Sequence, residues 1–277
     1  MRSKQPLVKL LVALSASLLL FSVLLAGCSA DTKEESEKPA KEAEKQGIKT
    51  IKEGVLTVGS DVAFPPFEYE DEQTQEIVGF DVDLIKEIGK RIGLEVKIQP
   101  AAFDSIIQAL NAGKFDCVVS AMTITEERKK QVNFSDPYID SDQSLAVKKG
   151  SPISSLEDLK GKVVGVQRGT TGELKANEIK EKYGIKEIKS YDDTLMAFED
   201  LKAGRVDAVV NDYPVTAYLV KKDPAFEIVA RIPTGEKYGI AVRKDSTDLL
   251  EAINKALREM KADGTYQQIY EKWFGTE

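Results

Sequence analysis

The chain of 277 residues contains no histidine. That absence removes Ser-His-Asp and Cys-His nucleophilic sites, His-based metal centres and the usual general base near neutral pH. Cysteine is almost missing as well, with two residues, Cys28 and Cys117. Cys28 closes an N-terminal apolar run, and Cys117 sits in Phe115-Asp116-Cys117-Val118-Val119, which reads as a buried strand, so no intrachain disulfide is expected. A reactive thiol at Cys117 is the alternative to a small buried hydrophobe, but no His or basic neighbour in sequence would lower its pKa. Positive charge is not in excess: 39 basic against 46 acidic residues leave a net charge of −7, which argues against a nucleic-acid surface.

What is present begins with an export signal. Arg2, Lys4 and Lys9 lead into an almost uninterrupted apolar run over 10–25, which ends in Leu25-Ala26-Gly27-Cys28 before a highly charged spacer. The run is too short and wrongly flanked for a spanning helix. An ordinary membrane-anchor helix with an incidental cysteine is the rival reading; under either, the rest of the chain works outside the cytoplasmic membrane. Residues 29–50 are mainly Glu, Lys, Ala and Ser, with Pro39 and no aromatic residue. Such a stretch cannot bury enough surface to offset ordering entropy and reads as a flexible tether, with a short solvated helix as the alternative.

Beyond it, β-branched runs alternate with amphipathic stretches. The spacing predicts strands over 55–58, 94–98, 115–119, 162–166, 187–190 and 206–210. Between them it predicts helices over 80–92, 104–110, from Thr125, 171–182 and 194–201. Strands separated by helices imply an α/β fold with mainly parallel sheets flanked by helices. An internal echo refines this: Leu110-Asn-Ala-Gly113-Lys-Phe-Asp116-Cys-Val-Val-Ser120 matches Leu201-Lys-Ala-Gly204-Arg-Val-Asp207-Ala-Val-Val-Asn211 without a gap. In each copy a helix ends at a glycine suited to the left-handed cap and a charged turn enters a strand. One copy in each half suggests two similar lobes, with a single long sheet as the runner-up. Extended passages over 140–148 and 237–242 are where the chain would cross between lobes. The C-terminal amphipathic helices would then return to the first.

These motifs resemble the extracellular amino-acid-binding proteins of bacterial ABC importers, in the polar amino-acid branch (family 3). The resemblance is carried by Gly59-Ser60-Asp61-Val62-Ala63-Phe64-Pro65-Pro66-Phe67-Glu68, Val78-Gly79-Phe80-Asp81-Val82-Asp83-Leu84, Ser120-Ala121-Met122-Thr123-Ile124-Thr125-Glu126-Glu127-Arg128, Val164-Gly165-Val166-Gln167-Arg168-Gly169-Thr170-Thr171-Gly172-Glu173 and Asn211-Asp212-Tyr213-Pro214. It implies a two-lobed type II periplasmic-binding-protein fold that closes on a ligand. Lobe 1 would be 51–140 plus 238–277, and lobe 2 would be 141–237. It also implies a signal peptide over 1–27, cleavage before Cys28 and lipid on its sulfur, followed by a tether over 28–50. The protein would be a lipid-anchored monomer outside the cell membrane that delivers an amino acid to an ABC permease, with no cofactor and no metal.

The same resemblance assigns site residues, each with a blander rival. Arg128 would clamp the ligand α-carboxylate, where a surface pair with Glu126 or Glu127 is the alternative. Thr170 and Thr171 would offer backbone N–H groups at a helix start to that carboxylate, with Gly169 allowing close approach; a plain helix cap is compatible with this. Asp212 would pair with the α-ammonium, or simply cap the helix after it. Asp61 would reach the ammonium or the ligand side chain. Ser120, Ala121, Thr123 and Gln167 match strand-end positions in the site. Phe64 and Phe103 would form apolar walls, or pack in the core. A basic side chain such as arginine or lysine suits Asp61; glutamine would suit Gln167. Two other functions remain: a secreted enzyme like cyclohexadienyl dehydratase, with Glu173 as the acid, and a sensory module, for which no signalling domain follows Glu277.

Overall fold

The computed structural model describes residues 47–276. The apolar run, Cys28 and most of the tether lie outside the described residues. The tether gives way to structure earlier than its expected end at Thr50: Ile48 already packs against the core of the first lobe, and the Ile51 N–H donates to Asp116 Oδ1 at 2.8 Å.

Strand β1 (Val55–Ser60) is buried along its whole length. A small antiparallel sheet follows, formed by β2 (Ala63–Phe64), β3 (Glu68–Glu70) and β4 (Ile77–Val78). Its strands of two and three residues are too short for any period to show in the sequence. Helix α1 (Phe80–Ile92) matches its expected span, because Phe80, Leu84, Ile85 and Ile88 make one apolar stripe that Gly93 ends in the left-handed conformation. Then come β5 (Glu95–Pro100), α2 (Ile106–Asn111) entered through a 3-10 turn over Phe103–Ser105, β6 (Cys117–Val118), α3 (Glu126–Gln131) and β7 (Asn133–Phe134). The long β8 (Ile139–Lys148) leads into β9 (Val163–Gln167), α4 (Thr171–Tyr183), β10 (Glu187–Tyr191), α5 (Thr194–Lys202), β11 (Ala208–Asp212) and α6 (Tyr213–Lys222). The chain returns along β12 (Phe226–Tyr238), adds β13 (Ala241–Val242) and ends in α7 (Thr247–Ala262) and α8 (Thr265–Phe274).

Two five-stranded sheets result, ordered β5-β1-β6-β13-β7 and β10-β9-β11-β8-β12. In each, the βα units supply parallel pairs on one side: β1 with β5 and β6, and β9 with β10 and β11. The other side is antiparallel, so the sheets are mixed rather than mainly parallel. In the second sheet β8 runs opposite to both its neighbours, β11 and β12, which α6 joins; in the first, β13 runs opposite to β6 and β7 after the chain has returned from the second sheet. Leu249, Ile253, Leu257 and Met260 of α7 bury against α1 and β1 in the first core, as the C-terminal periodicity implied.

The internal echo is structural. Gly113 and Gly204 both adopt the left-handed backbone, with φ of 75° and 72°. The Asp116 N–H donates to Thr57 O and the Asp207 N–H to Val163 O, both at 2.8 Å. Their carboxylates accept in return from the Thr57 N–H and the Val163 N–H, again at 2.8 Å each. Each aspartate therefore registers the strand that follows it, β6 or β11, against its parallel neighbour, β1 or β9. Asp116 is fully buried and also holds the Ile51 N–H, so Asp116→Ala should orphan two backbone donors. A loss of about 2–4 kcal/mol in urea unfolding is expected. A change below about 0.5 kcal/mol would show that water replaces the carboxylate without cost.

Candidate functional site

Parallel strands place their carboxyl ends at one edge, and ligands of such sheets bind beyond that edge. Here two edges face each other. Asp61 follows β1, Ser120 and Ala121 follow β6, Gln167 ends β9 and Asp212 ends β11. These residues line one cavity together with Phe64, Phe103, Thr123, Arg128, Thr170 and Thr171, so the ligand-site residues expected from the sequence come to the same place. Glu68 completes the lining.

Arg128 is held by both sheets' loops. Thr125 caps α3 by accepting from the Arg128 N–H at 3.1 Å. Its guanidinium donates through Nη1 to Thr123 O at 2.7 Å and through Nη2 to Gly169 O at 3.0 Å, and lies 5.2 Å from the centre of the Phe103 ring. The surface pairs of this helix belong to others: Lys129 to Glu126 and Lys130 to Glu127. Burial pulls the guanidinium pKa down, while the charges of Asp212 and Glu236 oppose that. The partly buried guanidinium thus bonds two backbone carbonyls and pairs with no carboxylate among the described residues.

Asp212 opens α6 but makes no side-chain cap bond. Its carboxylate turns into the cleft, accepting from Gln143 Nε2 at 2.6 Å and from the Tyr238 hydroxyl. Asp61 accepts from Gln167 Nε2 at 2.5 Å, a bond that spans the two lobes. The backbone N–H of Asp61 donates to Ser120 Oγ at 2.9 Å. Burial pushes both carboxyl groups up to about 6. At Asp61 the Gln167 bond opposes the rise, and at Asp212 the Tyr238 bond opposes it. Thr170 caps α4, accepting from the Glu173 N–H at 3.2 Å, and the Thr171 hydroxyl faces that of Thr123 at 3.3 Å across the cleft. Gly169 has φ of 76°, and a Cβ there would stand 3.0 Å from Asp104 Cα, so the lobes meet at bare backbone.

Four residues escaped sequence reading. Gln143, fully buried on β8, bridges Asp212 to Glu236 Oε2 (2.9 Å), and Tyr238 on β12 holds the other Asp212 oxygen. Glu236 itself accepts from the Thr171 hydroxyl at 3.0 Å. These three lie on the crossing strands, where polar residues look like ordinary solvent-facing positions. Glu68 left one legible trace: an acid placed directly after Phe64-Pro65-Pro66-Phe67. Glu173 goes elsewhere, accepting from the Gly169 N–H at 2.8 Å and Ser190 Oγ at 2.5 Å outside the cavity lining. Cys117 is fully buried, and burial pushes its thiol up, as a structural cysteine requires.

Residues 56–276 match the model of bacterial extracellular solute-binding proteins, family 3, and the chain belongs to that family. It is 40% identical over 224 residues to ABC transporter arginine-binding protein 1 of Escherichia coli (strain K12), covering 79% of this chain and 90% of that protein. Among solved structures, an ancestral arginine-binding protein bound to arginine is 54% identical with a TM-score of 0.77, covering 80% of this chain and 99% of the other. A second, bound to glutamine, is 53% identical with a TM-score of 0.76 and the same coverage. The two-domain α/β fold is that of periplasmic binding proteins.

The raised carboxyls set a pH dependence. Asp61 has an ordinary value of 3.8 and reaches about 6 when buried, so between those values the folded protein binds more protons than the unfolded chain. Its contribution to stability is present at low pH and is lost as pH rises through that window. Asp61→Asn should therefore gain stability over wild type at pH 7, by about 1–3 kcal/mol, and gain little at pH 4. Equal differences at both pH values in chemical denaturation would show that Asp61 does not titrate there.

Proposed function

We propose that the chain binds a basic L-amino acid, arginine or lysine, outside the cytoplasmic membrane and delivers it to an ABC permease. The observation that carries this reading is the charge layout of one enclosed cavity. A guanidinium with free capacity for a carboxylate stands near Asp212, placed for an α-ammonium, while Asp61 lies apart on the other lobe beside Phe64 and Phe103. The family, and the arginine named for several relatives, support the same ligand class. Arg128 and Asp61 come from the first lobe and Thr171 and Asp212 from the second. A ligand therefore gains its full set of contacts when the lobes meet, and favours that state by the difference. Rotation would be absorbed in β8 and β12, whose pairing carries irregularities between Ile228 and Ala230 and between Ile232 and Glu236.

Glutamine is the second ligand reading. Gln167 lines the cavity, and the structural relative bound to glutamine supports it. An enzymatic role is disfavoured, because Glu173, the acid such a role would use, is committed to Gly169 and Ser190. Calorimetric titration with arginine, lysine, glutamine and glutamate should rank the cations at least a hundredfold above glutamate. Arg128→Ala should weaken arginine by well over tenfold, since charge-assisted bonds are worth about 1.5–3 kcal/mol. Glutamate as the preferred ligand, or an unchanged affinity in the variant, would overturn this assignment.

Anchoring belongs to the same proposal. The small residues before Cys28 match the signal for lipid attachment, and the charged residues after it would let the domain stand off the membrane. The protein should partition into a detergent phase when expressed with its full leader, and Cys28→Ala should move it to the aqueous phase. A variant that stays in the detergent phase would point to a retained apolar helix instead.

A further inference from the structure

Glu68 is fully buried at the tip of β3 and faces the cavity. Its Oε1 accepts from the Ser120 hydroxyl at 2.9 Å, while Oε2 has no donor. Behind it on α1 stands Asp81, also buried. Asp81 Oδ2 accepts from the Ala121 N–H at 2.7 Å and the Tyr138 hydroxyl at 2.8 Å, and Oδ1 has no donor. Both carboxyl groups are held by the same turn, Glu68 through the Ser120 hydroxyl and Asp81 through the N–H of the next residue, Ala121. Two neighbouring buried acceptors without donors are satisfied together by one proton, as an acid O–H donating to a carboxylate. Asp81, with two donors already, is the better anion, so the proton resides on Glu68. The titratable groups that face the pair are Asp61 after β1, Tyr138 before β8, Tyr238 on β12 and Tyr266 on α8; none of these brings a positive charge. Burial and the charge of Asp81 push Glu68 well above the ordinary carboxyl range, in keeping with this placement.

We propose that Glu68 determines specificity through this proton, keeping it when the cavity holds a neutral side chain and releasing it when the cavity holds a guanidinium or ammonium. The inference rests on the amino-acid-binding reading above. Asp61 and Glu68 line the same cavity and are joined through Ser120, so a cation drawn to Asp61 comes up against Glu68. The Glu68 O–H bond then breaks heterolytically, the electron pair stays on the carboxylate to meet the cation, and the proton passes to the solvent buffer. Without a cation the proton stays, and a neutral amide meets one anion, Asp61, instead of two. One pocket thus offers two charge states.

The test is calorimetric titration at pH 7.5, where Asp61 and Asp212 are already ionised, in phosphate and in Tris, buffers of different ionisation enthalpy. Arginine should release about 0.5–1 proton per site and glutamine close to none, and arginine affinity should rise with pH from 7 to 9. Infrared difference spectra should show a protonated carboxyl band lost on adding arginine and kept on adding glutamine. Glu68→Gln retains a donor toward Asp81; it should abolish the release and weaken arginine far more than glutamine, by roughly tenfold or more. Arginine binding without proton exchange in the wild type, or undiminished release in Glu68→Gln, would overturn the proposal. No heat with any amino acid would instead strike the amino-acid-binding reading on which it rests.

Discussion

The cleft holds two carboxylates and a guanidinium away from bulk water in one cavity lining. Asp61 and Asp212 are both buried, and Arg128, partly buried, lines the same cavity. Burial of an unpaired charge is costly, and the cost falls only when opposite charge is supplied in the right geometry. The protein supplies part of the compensation itself. Gln167 reaches Asp61 from the opposite lobe, and Gln143 with Tyr238 flanks Asp212. These neutral donors soften the penalty without cancelling the charge. On the proposed reading, a zwitterion with a cationic side chain would offer the opposite charge that they do not.

The frame meets this demand through strand ends and bare backbone. The acids sit where parallel strands stop, so their position is fixed by sheet register and not by loop conformation. The aspartates of the repeated segment lock that register twice, once per lobe, through paired bonds to Thr57 and Val163. Across the cleft, Gly169 lets one lobe's backbone come within van der Waals distance of Asp104 in the other. Glu236 accepts from Thr171 while standing on the strand that connects the lobes, so the crossing segment carries polar contacts of the site as well as the chain.

Much of this is legible in the amino-acid sequence. Long amphipathic helices such as α1 and α7 announce themselves by period, and the strand–Gly–helix and helix–Gly–strand junctions locate the edges where site residues gather. Arg128, Thr171 and Asp212 were legible because family motifs attach to such junctions. The antiparallel halves of the sheets were not, since β7 and β13 are two residues long and pairing direction leaves no local signature. Gln143, Tyr238 and Glu236 stayed hidden for a related reason: a polar residue on an extended strand looks alike whether it faces solvent or a cleft made by distant chain. Glu68 stands within its motif, but Asp81 is brought to it only by the packing of α1.

Strand β13 lies in the interior of the first sheet, between β6 and β7, although it comes after every residue of the second sheet in the chain. During synthesis the first sheet therefore lacks the strand that joins β7 to β6 until residues 241–242 have emerged. The second lobe has all its strands by then, and α7 and α8 still have to cover α1. A chain built in this order cannot finish its first lobe early. The N-terminal part of the fold stays incomplete until most of the chain is made, which suits a member of an extracellular family, whose chain leaves the cytoplasm.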